Sequence, residues 1–211
     1  MRLITAMLAL SMMGCDGNVS QDPSVTPDSA ALSHPELRNQ LLRMGLLDQT
    51  VRLGFSVDVA TDTAFIRASL AIDSVLTSRL RRIIDQDGWP TRSMVGREAA
   101  QAAFLIVQHS PSDAFQRDVL PALEAAAAAS EASAADVALL EDRTLTHDGK
   151  PQIYGSQFRI VDGELVPYPI QDLARLDERR ASAGLVPMAE YVRMLRQTYG
   201  GPVRWPPDSA R

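Results

Sequence analysis

The chain has 211 residues, 26 acidic and 21 basic side chains, a formal charge of −5 and a single cysteine, with 45% hydrophobic and 22% charged residues. These values describe an ordinary globular domain with a mixed surface. They exclude a disulfide-stapled mini-protein, because one thiol cannot form an internal bridge, and a polytopic membrane protein, because no uncharged apolar run approaches about 18–20 residues. The acidic balance and the lack of a basic stripe argue against nucleic acid as a partner. Lys150 is the only lysine among many arginines, and Ala125 to Ala129 is an uninterrupted alanine run; biased codon usage accounts for both.

Met1-Arg2 supplies one positive charge, and Leu3 to Met13 carries none. That stretch is too short to span a bilayer but fits the apolar core of a secretory signal. It ends at Gly14-Cys15, followed by Asp16-Gly17-Asn18. The first fifteen residues resemble a bacterial lipoprotein signal, in which a small residue precedes the cysteine that becomes lipidated; Met12 and Met13 depart from the usual pattern. The resemblance implies cleavage before Cys15 and acyl chains on its sulfur and new amino group. The lipid bilayer is then a partner through acylated Cys15, at the periplasmic or another extracytoplasmic face of the bacterial cell envelope. Acylation would also remove a lone exported thiol, a redox liability, and more than one acyl chain gives stable anchoring. A plain secretory signal that leaves a free thiol is the alternative. Residues 16 to about 32 are polar, contain Pro23 and Pro27 and lack apolar periodicity, so they read as a tether. Roughly 180 residues remain for one domain, enough for a sizeable core.

That domain opens at Ser33-His34-Pro35-Glu36, where Ser33 and Glu36 have the spacing of a capping box and Pro35 sits in the first turn. Leu37, Leu41, Leu42 and Met44 follow at helical spacing, and Asp48 to Arg52 continues or restarts the helix. A second helix is predicted over about 62–85 and is broken at Gly88-Trp89-Pro90. A third is predicted over 97–108. Ser112 caps a fourth, which Pro121 should kink or divide, and Ser133 opens a fifth. Asp148-Gly149 and Asp162-Gly163 are hairpin-turn dipeptides, and the residues between them are rich in β-branched and aromatic side chains. A short antiparallel meander over 143–168 is the expectation. A sixth helix over about 171–183 stops at Gly184, and a seventh begins at Pro187 and ends at Gly200-Gly201. The fold class is therefore mainly α, six to seven helices with a small antiparallel β meander, in one domain over 33–203 with an irregular tail at 204–211.

The residues that stand out are polar groups inside otherwise structural segments. Gln108-His109 ends an apolar helix, Gln152, Tyr154 and Gln157 surround Gly155, and Trp89 precedes a proline that holds it extended. With Asp48-Gln49-x-x-Arg52, Gly88-Trp89-Pro90, Val95-Gly96, Asp142-Arg143 and Arg179-Arg180, these motifs in this order resemble the bacterial domain family of unknown function numbered 6624. The resemblance covers roughly residues 40 to 195; Ser156, where threonine is expected, is a small departure. It implies one domain and brings no activity with it.

Most of the candidates have two readings. His109 is a general base with a near-neutral pKa, or a helix-end histidine capping free carbonyls. Asp142-Arg143 holds that imidazole or an anionic ligand, or forms a helix-end salt bridge. Asp48 and Arg52 are four apart, as in an intrahelical ion pair. Gln152, Tyr154 and Gln157 form a recognition surface, or are satisfied buried amides locking a strand to a helix. Trp89 is a pocket rim or a core residue. The three histidines, His34, His109 and His147, lack the spacing of a helical zinc pair, and neither a Gly-x-Ser-x-Gly elbow nor a phosphate-binding glycine loop is present; no metal or cofactor is expected.

Three functions follow. The first is a tethered module that binds a small polar ligand or an envelope protein in a cleft between the helix over 97–108 and the meander. Trp89, Gln108, His109, Gln152, Tyr154 and Gln157 would line it, with Arg143 supplying charge. The second is a metal-independent hydrolase or transferase with His109 as base, Asp142 as its orienter and Tyr154 or Gln157 as oxyanion donors. The third is a structural envelope component with no pocket.

Overall fold

The structure, a computed structural model, describes residues 32–53 and 62–207. The signal, Cys15, the tether up to residue 31 and the last residues of the tail lie outside them.

Helix α1 spans Pro35–Thr50. The capping box does not form: the Ser33 hydroxyl pairs with His34 Nδ1 at 2.7 Å, and no side chain caps the helix. The His34 amide instead donates to the Met94 carbonyl at 3.0 Å, fastening the start of α1 to a short helix α3, Arg92–Val95. Helix α2 spans Thr63–Asp87, with the Asp62 carboxylate accepting from the amides of Ala64 and Phe65, the N-cap arrangement that satisfies otherwise orphaned donors. Helix α4 is Arg97–Gln108 and α5 is Asp113–Ala128, capped by Ser112. Pro121 lies inside α5 without dividing it. Helix α6, Ala134–His147, begins at the Ser133 cap.

Helix α4 carries most of the first core. Its inward face brings Ala99, Ala103, Phe104, Ile106 and Val107 against Leu41, Leu76, Leu80, Phe115, Leu123 and Leu140. Such a stripe repays helix formation mainly through apolar burial. Helices α1 and α4 approach closely at Gly45: a Cβ built there would lie 2.6 Å from the Ala102 Cβ. Gly45→Ala is therefore expected to push the helices apart and destabilise the domain by about 1–3 kcal/mol, as measured by urea unfolding. A loss below a few tenths would mean the helices reseat freely.

The expected meander is shorter than its sequence signals. Residues 143–147 finish α6, and Asp148-Gly149 closes that helix, with Gly149 at φ 71°. A helix C-terminus and a hairpin turn both call for a left-handed residue, and one dipeptide serves either. Of the supposed central strand only Phe158–Val161 is strand β1; it pairs antiparallel with β2, Glu164–Pro167. Asp162 and Gly163, at φ 52° and 79°, make the turn between them, both positive as a type I′ hairpin needs. A 3₁₀ turn at Leu173–Arg175, helix α7 at Leu176–Ser182 and helix α8 at Met188–Tyr199 follow. Phe158, Leu165, Leu176, Met188, Tyr191, Val192, Leu195 and Val203 form a second apolar cluster. The fold is mainly α with one small antiparallel hairpin, and among the described residues it has eight α-helices. The short α3 is the one the sequence periodicity passed over. No helix among these residues is long and apolar enough to cross a membrane.

Candidate functional site

Helices α1 and α4 end side by side, and their last residues make a buried ionic cluster. His109 terminates α4, and its ring leaves the helix axis instead of capping it. The carbonyls at that end are taken by the Gln116 amide, whose Nε2 donates toward Val107, Gln108 and Ser110 at 3.0, 3.3 and 3.1 Å. The imidazole is thereby released to face α1, where Nδ1 lies 2.9 and 3.0 Å from the two carboxylate oxygens of Asp48. The side chains of His109 and Asp48 are 3% and 1% exposed. No described residue hydrogen-bonds to His109 Nε2.

Asp48 is held by two further side chains. Gln49 Nε2 donates to Oδ2 at 2.7 Å, and Arg52 Nη1 lies 3.1 Å from Oδ1 while also reaching the Asp48 carbonyl. Arg52 Nη2 then bridges to Asp73 of α2 at 2.9 Å. The i,i+4 pair expected at Asp48 and Arg52 is present, but as the middle of a chain running Asp73–Arg52–Asp48–His109.

Burial pushes the Asp48 carboxyl up. The His109 hydrogen bond, the charges of His109 and Arg52 and the Gln49 amide together outweigh that and hold it below its ordinary value. Burial lowers the His109 pKa, against the pull of Asp48 and with help from Arg52 and Arg143. Asp73 moves the other way: burial raises it more than Arg52 lowers it. At neutral pH the pair is therefore an ionised Asp48 and a neutral His109. The carboxylate assigns the tautomer, since it can only accept: Nδ1 carries the proton and Nε2 the lone pair.

Asp142 is not the partner of His109. Its carboxylate, fully buried, accepts from the amides of Ile153, Tyr154 and Ser156 at 2.6 to 3.2 Å and from the Ser156 hydroxyl at 2.9 Å. It ties α6 to the segment that leads into β1, the junction between the two apolar clusters. Burial raises its pKa against these same hydrogen bonds. Gln152 works beside it: its Oε1 accepts from the Gln157 amide, and its Nε2 donates to the carbonyls of Gln157 and Tyr168. Gln157 Nε2 is spent on Ser156 Oγ and the Leu139 carbonyl. These glutamines are buried amides locking the hairpin to α6, the second of their two sequence readings. Tyr154 is half-buried, and its carbonyl accepts from Arg180. Arg179 and Arg180 both donate to backbone carbonyls, at Ile153 and at Val186 and Tyr154.

Arg143 lies between the two assemblies. With the Gln108 amide oriented by its neighbours, that oxygen accepts from Arg143 Nε at 2.9 Å and Nη2 at 3.2 Å. Arg143 is fully buried, has no carboxylate partner among the described residues, and its Nη1 has no hydrogen-bond acceptor. Burial lowers its pKa to about 10, so it stays a cation.

Trp89 belongs to neither. It is 7% exposed and packs in the first core, beside the first residues of α4. Gln101, which lines a crevice with it, precedes His109 by eight residues of that helix, about 12 Å along its axis. The single cleft expected from the sequence is thus divided. His109, Gln108 and Arg143 come together, Gln152, Tyr154 and Gln157 serve the hairpin junction, and Trp89 is at the far end. Sequence reasoning passed over Asp73 and Gln116, which carry no local signal beyond being polar residues in a helix, and read Asp48 only as a partner for Arg52.

A family model described as a family of unknown function, DUF6624, matches residues 35–204, and the chain belongs to that family. The match covers every described helix and both strands, with both polar assemblies included. No curated protein and no solved structure matches the chain.

Proposed function

We propose that the chain is a lipid-anchored protein of the bacterial envelope whose working site is the Asp48–His109 pair, with His109 as general base in a metal-independent hydrolysis or group transfer on a small polar substrate. The observation that carries this reading is a buried imidazole with Nδ1 committed to a carboxylate and Nε2 bonded to no described residue, whose pKa burial holds down. Such a nitrogen takes a proton from water or a hydroxyl as that oxygen attacks an electrophilic centre. A bond to the oxygen forms, the bond to the leaving group breaks, and the imidazolium returns its proton to the leaving group. Asp48 is the positioning residue, holding the ring and balancing its transient charge. Arg52, fixed on Asp48 and Asp73, keeps that carboxylate from turning away. The anchor rests on the signal-like first fifteen residues and Cys15.

A second reading, ligand binding without turnover, is favoured by one observation: the unpartnered Arg143 Nη1, a donor suited to an anion. Turnover on ester, amide and glycan libraries separates the two. For the base, His109→Gln is expected to lower kcat by about 10²–10⁴, and Asp48→Asn to displace the acid limb of the pH profile. Thermal stabilisation by a ligand that is never turned over means a binding module instead. Changes confined to melting temperature contradict both. The anchor is checked by mass spectrometry of the membrane fraction, where diacylglyceryl and acyl groups on Cys15 are expected and an unmodified Cys15 contradicts it.

A further inference from the structure

The crevice at the opposite end of α4 has the composition of a binding site in its own right. Trp89, Arg92, Arg97, Gln101, Ser133 and Asp136 are among its walls, and its interior space is about 10 Å³, room for about one water-sized group. Two of those walls are buried and under-bonded. The indole Nε1–H of Trp89 has no acceptor. Asp136 is 8% exposed, and its carboxylate receives one long hydrogen bond, from Gln101 Nε2 at 3.4 Å. Burial raises the Asp136 pKa to about 6, with Gln101 and the Arg92 charge opposing.

A single small group that satisfies both walls must accept from the indole and donate to the carboxylate. An ammonium cannot accept and a carboxylate cannot donate; a hydroxyl does both, as does the water molecule it would displace. Around the crevice stand two guanidiniums. Arg92 is half-buried, with Nη1 on the Ser130 carbonyl at 3.2 Å. Arg97 is exposed and has no ion pair among the described residues. Both residues line the crevice, and a guanidinium there favours a carboxylate or phosphate.

We propose that this crevice binds a small hydroxy acid, its hydroxyl set between Trp89 and Asp136 and its anionic group against Arg92 and Arg97. The site is separate from the Asp48–His109 pair and stands whether or not that pair is catalytic.

The test is a titration of the full chain followed through the indole N–H resonances in ¹⁵N NMR. The sequence has two tryptophans, and Trp205→Phe assigns the signal of Trp89. The probes are glycerate and glycerol 3-phosphate, which distinguish the carboxylate from the phosphate; glycerol lacks the acid and acetate lacks the hydroxyl. A saturable shift of the Trp89 resonance is expected with at least one of the two hydroxy acids, and at least tenfold weaker binding of glycerol and acetate. Asp136→Asn and Arg97→Ala should each weaken the hydroxy acid at least tenfold, and His109→Gln should leave it unchanged. Arg97 is exposed, so its variant reports on binding even where Asp136→Asn perturbs folding. Shifts that do not saturate, glycerol binding as tightly as the acids, or an indole already hydrogen-bonded to an ordered water that no probe displaces would each overturn the proposal.

Discussion

Asp142→Ala is expected to destabilise the domain by about 3–6 kcal/mol. The substitution removes one buried carboxylate and leaves the amides of Ile153, Tyr154 and Ser156 without their acceptor. A buried unsatisfied donor costs about 1–3 kcal/mol, and the three lie within residues 153–156, all directed at one fully buried carboxylate. Asp142→Asn keeps one acceptor oxygen and should lose about half as much. Denaturant unfolding measures the loss. Hydrogen exchange locates it: protection should fall first at residues 153–157 and the hairpin Phe158–Pro167, and later in α4. A loss below about 1 kcal/mol, with unchanged exchange at those amides, would mean Asp142 is not the anchor of this junction.

Asp48→Ala comes second, at about 3–5 kcal/mol, the scale for removing one partner of a buried ion pair. It strands Arg52 beside Asp73 and leaves the His109 ring without its acceptor. The pH dependence has a definite sign. The folded His109 pKa lies below the ordinary 6.5, so as pH falls below about 6.5 the unfolded chain takes up a proton the native state refuses, and stability drops. The folded Asp48 pKa also lies below its ordinary 3.8. Its contribution is complete above that value and is lost as pH falls through the lowered one. Relative to His109→Gln, the wild-type chain should therefore lose stability on acidification from about pH 6.5; the raised carboxyls of Asp73, Asp136 and Asp142 act in the opposite direction in both chains and cancel in the difference. Burial lowers His147 too, and that contribution is likewise common to both chains. An unchanged slope in His109→Gln would contradict the assignment of a neutral, buried ring.

Much of the helical layout was legible because it is set by local chemistry. Arg97–Gln108 follows from its apolar period, Ser112 and Ser133 mark the starts of α5 and α6, and Gly184 and Gly200 follow the ends of α7 and α8. What misled was local chemistry with two uses. Asp148-Gly149 ends a helix where the same dipeptide could turn a hairpin. Pro121 is carried inside α5, where packing on both sides of it outweighs one missing hydrogen bond. Ser33 has a cap's spacing, yet α1 is fastened through the His34 backbone instead.

The site was harder to read because its logic is not local. His109 stood out in the sequence, but its partner is 61 positions away, and the neighbouring Asp142-Arg143 offered a plausible carboxylate that the fold uses elsewhere. The feature that settles the choice is Gly45, which brings α1 and α4 close enough for Asp48 to reach the ring. Nothing in a sequence window around Gly45 says that Ala102 lies opposite.

His109 is expected to be neutral, with its proton on Nδ1 facing Asp48 and its lone pair on Nε2. Nitrogen-15 NMR of the imidazole across a pH titration reads this directly. The expected result at pH 7 is a protonated Nδ1 and an unprotonated Nε2, with the ring titrating below pH 6.5. A charged imidazolium at pH 7, or the proton on Nε2, would contradict it and leave no base at this site.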